Sequence, residues 1–326
     1  MIKFILKKTG KLAGLLIAVS IVCFTLISYS PIDPVRSYVG AEESRISLEQ
    51  RKNIEEYWGL NKSKPEQFML WGKSLLQGNL GKSLIYRESV SDVIVSRFMA
   101  SIVLMGLAWV FSGILGFVLG ILAGMNENSF LDRSIKSFSF ILASTPSFWF
   151  GLLLLMVFAA WLGWFPVGLA SPPGSLAGEV SFLDKTRHLV LPVLTLSISG
   201  VTSIALHTRA KLIEVLNSDF IHFARAKGES GTKLLWRHGL RNISLPAISL
   251  HFASFGELFG GAVLTEQVFS YPGLGQALVK AGLGGDVPLL LGITFFSVIF
   301  IFAGNFIADL LYVVVDPRMK TKKSHV

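Results

Sequence analysis

Long apolar runs separated by short polar stretches dominate the chain. Six of them, at about 12–30, 100–124, 138–162, 189–206, 245–268 and 289–315, reach the ~20 residues that a helix needs to cross a bilayer. The pattern predicts an all-α, polytopic membrane bundle of six transmembrane helices. Lys3, Lys7, Lys8 and Lys11 precede the first run, as they would in a signal peptide. Its exit, YSPIDP, lacks a small-x-small cleavage pattern, and five more runs follow, so the first helix is expected to stay uncleaved.

The polar stretch 31–97 is too patterned to be a mere linker. Within 46–60, Ser47 stands where an N-cap belongs, Glu49 and Gln50 occupy the first turn and Gly59 supplies a stop. The segment 65–78 repeats the design, with Phe68, Leu70, Trp71, Leu75 and Leu76 spaced for one face. Two short amphipathic helices are therefore expected there. The chain divides into 1–97, the first membrane helix with this loop, and 98–326, a five-helix core interrupted by a polar loop at 209–244.

Composition agrees: 52% of residues are hydrophobic and 16% charged, where a soluble domain carries about a quarter charged. The net charge of +9 is unevenly placed. If the N-terminus is cytoplasmic, segments 1–11, 125–136, 209–244 and 316–326 lie inside and hold 17 Lys and Arg. Of the other 13, ten lie in the long loop 31–97, where charge has little influence on translocation, and the short outer loops hold only Lys185, Arg187 and Lys280. Both termini are thus expected in the cytoplasm, the chain being multi-pass in the membrane. Basic residues at membrane-facing loops, without base-stacking aromatics among them, argue against nucleic acid. The single cysteine, Cys23, excludes an internal disulfide or a cysteine-built metal site.

Several motifs tempt and then fail, or stay open. GNLGKSL at 78–84 resembles a phosphate loop, but a Walker A motif needs glycine where Leu76 stands. Gly116, Gly120 and Gly124 form a four-residue ridge that lets helices approach closely, and Gly256 with Gly260 repeats it. Pro146 frees a backbone carbonyl inside the third run. The resulting kink either lines a cavity or has no transport role. Glu257, about halfway along the fifth run, is costly in lipid. It lines a water path or sits at a subunit contact. His251 lies about 120° around the same helix, so the two are no ligand pair, and it is expected to pack. No catalytic triad and no metal motif appears, which predicts a non-enzymatic chain.

The densest short basic stretch is HFARAKGESGTKLLWRHGLRNISLP, 222–246, with five Lys or Arg and one acid, Glu229. Residues 219–228 suit a short helix that Ser218 starts and Gly228 ends. Phe220, Phe223 and Ala224 can share a face there, with Arg225 and Lys227 to the sides. A second helical stretch is expected to begin at Thr232, with Pro246 at the mouth of the fifth span. The first helix either lies on anionic lipid or enters a groove on a partner protein.

ARAKG followed by RHGLRNISLP resembles the cytoplasmic EAA loop of bacterial ABC importer permeases. The 17 residues between Gly228 and Pro246 match the long form of the peptide/nickel branch. GLNKSKPEQF, GNLGKSL, STPSFWFG, WFPVG, GGAVLTEQVFSYPGLGQALV and VDPR extend the resemblance over nearly the whole chain. His222 replaces the glutamate of the general motif, and Gly285 stands before Asp286 where a charge is commoner.

The resemblance implies a type I importer permease fold. It implies that His222, Phe223, Ala224, Arg225, Ala226, Lys227 and Gly228 form a coupling helix that docks on an ATPase. It also implies a second homologous permease subunit, two ATP-binding subunits holding the ATP and magnesium, and an external binding protein. This chain would hold no cofactor. Glu257, Pro146 and His251 are the candidates for the passage. Short peptides and nickel or metal chelates remain equal candidates for cargo. A stand-alone channel or secondary transporter would not need the 222–246 loop, and many such transporters carry an inverted repeat that is absent here.

Overall fold

The computed structural model describes residues 2–29, 35, 47–57, 59, 61–174 and 180–315. The C-terminal segment 316–326, including all of VDPR but Val315, and the loop stretch 36–46 lie outside the described residues. The helices are α1 (Ile2–Ser28), α2 (Leu48–Tyr57), α3 (Lys64–Leu76), α4 (Val90–Met125) and α5 (Phe130–Ala143). Then come α6 (Ser147–Leu154), continued by a π turn at Leu155–Trp161, α7 (Phe182–Leu216) and α8 (Asp219–Ala226). Next are α9 (Gly231–Leu234) with a π turn at Leu235–Gly239, α10 (Leu240–Ala253), α11 (Phe255–Val268), α12 (Leu274–Gly284) and α13 (Val287–Val315).

Lys8–Leu26 of α1, α4, α7 and Val287–Ala308 of α13 are each long and apolar enough to cross a membrane. The count among the described residues reaches the expected 6 when the bent pairs α5–α6 and α9/α10–α11 each make one span.

Both bends differ from expectation. The third run is two helices meeting at 105°, not one kinked helix. Pro146 is the N-cap of α6, where its missing N–H costs nothing. Thr145 Oγ1 donates to Ile141 O at 2.8 Å and helps close α5. In the fifth run the 51° bend falls at Ser254, without a proline nearby. Pro246, expected at the mouth of the span, lies inside α10.

Contacts gather the chain into two units: Met1–Ser101 with Pro272–Phe302, and Ile102–Tyr271 with Ala303–Val326. In the first, both expected loop helices form. Ser47 Oγ accepts from Gln50 N–H at 3.1 Å while Gln50 Oε1 accepts from Ser47 N–H at 2.9 Å, a reciprocal cap. The GNLGKSL turn serves structure: Lys82 bridges to Ser89, and Ser83 Oγ donates to buried Asp286 at 2.5 Å. Asp286 also accepts from Ile85 N–H at 3.0 Å and Leu289 N–H at 3.1 Å, so it ties that turn to the start of α13.

In the second unit α4 lies against α7 along the glycine ridge. A Cβ on Gly116 would stand 2.8 Å from Val201 O, one on Gly120 2.6 Å from Thr208 Cβ, and one on Gly124 2.9 Å from Leu212 Cδ2. The ridge is thus a close backbone approach. Gly260 does not behave this way. Among the described residues a Cβ there meets nothing within 4 Å, while one on neighbouring Gly261 meets Leu196 Cδ1 at 3.1 Å.

Candidate functional site

The basic loop folds as expected at its start and differently thereafter. α8 ends at Ala226 with Lys227 as its C-cap, and Gly228 follows with φ +87°, a left-handed stop that other residues adopt at a cost of about 1–2 kcal/mol. Ser218 precedes the helix, but its hydroxyl donates to Val215 O rather than capping. The second stretch starts at Gly231, with Ser230 as N-cap, and runs through the π turn into α10.

Phe220, Phe223 and Ala224 do not share a face. Ile221 and Ala224 are buried in a cluster with Leu212, Val215, Leu234, Leu235 and Ile243. Phe220 and Phe223 are exposed, as are His222, Arg225, Ala226, Lys227 and Gly228. The helix is therefore anchored through Ile221 and Ala224, and it presents aromatic rings and cations outward. Lys227 Nζ lies 4.4 Å over the Phe223 ring, the geometry of a cation–π pair. Behind α8, Glu229 accepts from Arg237 Nη1 and lies 2.9 Å from His238 Nε2. The Arg237 hydrogen bond, ahead of His238, holds the Glu229 carboxyl below the usual glutamate range.

One buried ion pair stands two helical turns from this surface. Asp132, in the first turn of α5, is fully buried and accepts from both Arg209 Nε and Arg209 Nη2, the latter at 2.8 Å. Asn128 N–H donates to the same carboxylate at 2.9 Å, and Lys136 Nζ lies 3.5 Å away. The partners are 77 residues apart, beyond the reach of any local pattern.

Of the three passage candidates, Pro146 forms the α5–α6 corner. His251 is buried and packs, as expected: its ring stacks on Trp109 at 4.3 Å, and Nε2 lies 2.9 Å from Trp109 O. A groove of ≈ 400 Å³ runs beside it, lined by Val110, Ile114, Phe117, Val118 and Ile248 among others. Glu257 stands in the first turn of α11, just past the bend, and is exposed. On α11, Glu257, Gly260 and Leu264 make one exposed stripe.

Sequence reasoning missed a longer stripe on α7. Between residues 190 and 216 its exposed positions are Ser199, Ser203, His207, Ala210 and Glu214, all on one face at helical spacing. Every one is small or polar. The signal was the spacing of Ser199, Ser203 and His207, which an apolar average conceals. Glu266 was missed as well: it is buried in α11, where Glu257 alone had drawn attention. Among the described residues no group of three or more His, Cys, Asp and Glu is placed to hold a metal ion.

These features were compared with known proteins. Residues 116–321 match the family described as binding-protein-dependent transport system inner membrane component, and residues 1–105 match the N-terminal model of such components. The oligopeptide transport system permease protein AppB of Bacillus subtilis is 33% identical over 98% of this chain and 100% of its own length. The di/tripeptide permease DppB of Pseudomonas aeruginosa is 33% identical over 99% of this chain and 100% of its own. The glutathione permease GsiC of Escherichia coli is 33% identical over 99% and 100%. Among solved structures, an inward-facing form of the MetNI methionine ABC transporter aligns with a TM-score of 0.56 and 16% identity, covering 69% of this chain and 96% of that one. That likeness concerns the fold: a helical permease of the type I importer kind. The chain belongs to the family of inner-membrane components of binding-protein-dependent transport systems, as a permease subunit of an ABC importer. It is a multi-pass inner-membrane protein.

Proposed function

We propose that this chain forms, with a second homologous permease subunit, the passage through which short peptides enter a bacterial cell. Two ATPase subunits grip α8 from the cytoplasm, and an external binding protein delivers the cargo. The observation that carries this reading is the construction of α8: Ile221 and Ala224 fix it to its own core, while Phe220, Phe223 and Arg225 are left exposed on its outward side. Anchored in this way, the rings and their flanking donors are free to enter a groove on a partner protein. The basic bias of the short loops supports a cytoplasmic side for α8. The relatives named above for oligopeptides, di/tripeptides and glutathione favour peptide cargo over nickel.

The passage is assigned to the exposed polar face of α7 together with Glu257. Hydroxyl and imidazole groups facing hydrocarbon forfeit hydrogen bonds, whereas a wet passage satisfies them and offers partners to peptide amides.

The test is Phe223→Asp in the assembled complex. Membrane insertion should be unchanged, while co-purification of the ATPase subunits and uptake of trialanine into vesicles should be lost. Wild-type vesicles should take up trialanine and not nickel–histidine. Normal uptake by the variant removes α8 from the docking role.

A further inference from the structure

The Asp132–Arg209 pair has no role in the reading so far. Desolvating two charges is expensive, and an apolar pair of similar volume often holds a fold equally well. What a bidentate arginine–carboxylate contact supplies beyond stability is direction: two parallel hydrogen bonds resist sliding and rotation, where apolar side chains slip. Its location gives that direction a use. Arg209 sits seven residues before the end of α7 at Leu216, and α8 follows after Asn217 and Ser218. Asp132 sits at the start of α5, fixed there by Ser129, whose hydroxyl accepts from Asp132 N–H at 3.2 Å. The far end of α5 is the 105° corner. Beyond it α6 returns to α7, where a Cβ on Gly151 would lie 2.9 Å from Thr195 Cγ2. α5 thus packs along α7 with the ionic fork at its start, and α6 meets α7 in a close-packed apolar contact.

We propose that the Asp132–Arg209 pair is the joint through which a displacement of α8 reaches the bent α5–α6 element, which makes both side chains positioning residues for transport. The proposal rests on α8 being the docking helix. A pull on α8 moves the end of α7; the guanidinium fork carries that movement to α5, and the corner converts it into a tilt of α6. With the fork gone, α7 moves and α5 stays behind.

The experiment compares wild type, Arg209→Lys and the apolar double variant Asp132→Leu/Arg209→Met in the reconstituted complex with its ATPases and binding protein. It reads assembly, melting temperature, ATP hydrolysis and trialanine uptake per ATP hydrolysed. The double variant should assemble, melt near wild type and hydrolyse ATP, while uptake per ATP falls about tenfold, within the usual range of coupling between sites. Arg209→Lys keeps the charge but loses the fork, and its uptake per ATP should fall between the two. Wild-type uptake per ATP in the double variant overturns the proposal. So does failure of the double variant to assemble, since the pair would then be a requirement of the fold. Failure of the docking reading is separate: it shows as normal transport by Phe223→Asp.

Discussion

α4 and α7 are packed face to face along the same glycine ridge, yet their outer faces are opposites. From Met99 to Leu122 the exposed residues of α4 are apolar, including Val103, Leu107, Val110, Ile114 and Val118. From Ser199 to Glu214 those of α7 are Ser, Ser, His, Ala and Glu. Similar length and hydropathy therefore conceal different surroundings. Lipid solvates the first face at no cost, while the second calls for water or a polar partner. Average hydropathy finds spans; the exposed stripe is what sets apart the span proposed to border the passage.

The largest effect should come from forcing the two helices apart. Gly120→Leu adds bulk where a Cβ already stands 2.7 Å from Ala205 O, a backbone atom that cannot yield. Overpacking of this kind costs on the order of 3 kcal/mol, and the purified complex should lose tens of per cent in yield and melt earlier. A variant that melts like wild type would mean that the ridge is not tightly closed in the membrane.

Exchanging polarity between the faces comes next. Ser203→Leu should lower trialanine uptake per complex about tenfold, equivalent to 1.4 kcal/mol, with assembly intact, whereas Val118→Ser on α4 should leave uptake within twofold of wild type, about 0.4 kcal/mol. Single cysteines at positions 199, 203 and 207, in a Cys23→Ala background, should react with a membrane-impermeant thiol reagent. Cysteines at 110, 114 and 118 should not. Equal reactivity of the two sets would erase the distinction on which the passage is assigned.

The smallest effect concerns the polar face where it leaves the membrane. Glu229 ties the end of α8 to Arg237 and His238, and Arg237 depresses its pKa from the ordinary 4.5. A carboxylate with a depressed folded pKa contributes stability above its unfolded value and loses it as pH falls through the folded one. Protection of the α8 amides, with exchange rates referred to the intrinsic rate at each pH, should therefore hold as pH drops through 4.5 and fall only below it. In Glu229→Gln protection should be slightly lower at neutral pH, and that acid-induced loss should vanish. An opening in wild type centred at the ordinary value would show that the contact is not formed in solution.

Much of the architecture was legible because membrane length and loop charge are strong, local signals. The six apolar runs, both capped loop helices and the Gly228 stop follow from residues within a few positions of one another. The failures share a cause: they depend on partners distant in sequence. Ala224 was expected to face outward with Phe223. A helix of eight residues carries too little pattern to choose its buried side, and Leu212, Leu235 and Ile243 chose it. Glu257 was placed at mid-helix because nothing in Ser254-Phe255-Gly256 announces a bend as a proline would. The bend moves it into a first turn at an open face. Asp132 and Arg209 drew no reading at all, because only the fold joins them across 77 residues.

The Ser83–Asp286 hydrogen bond, described above as a tie between a turn and a helix start, also sets a schedule. Its ends are 203 residues apart, so at 5–20 residues per second the ribosome needs roughly 10–40 s after making the first to supply the second. Until then the turn at 81–90 has no anchor, however well its neighbours have entered the bilayer. The first unit, which joins the N-terminal helix to Pro272–Phe302, can close only after that second segment has been made. A ribosome that stops before residue 286 leaves behind a chain with several inserted helices and an unlatched turn at 81–90.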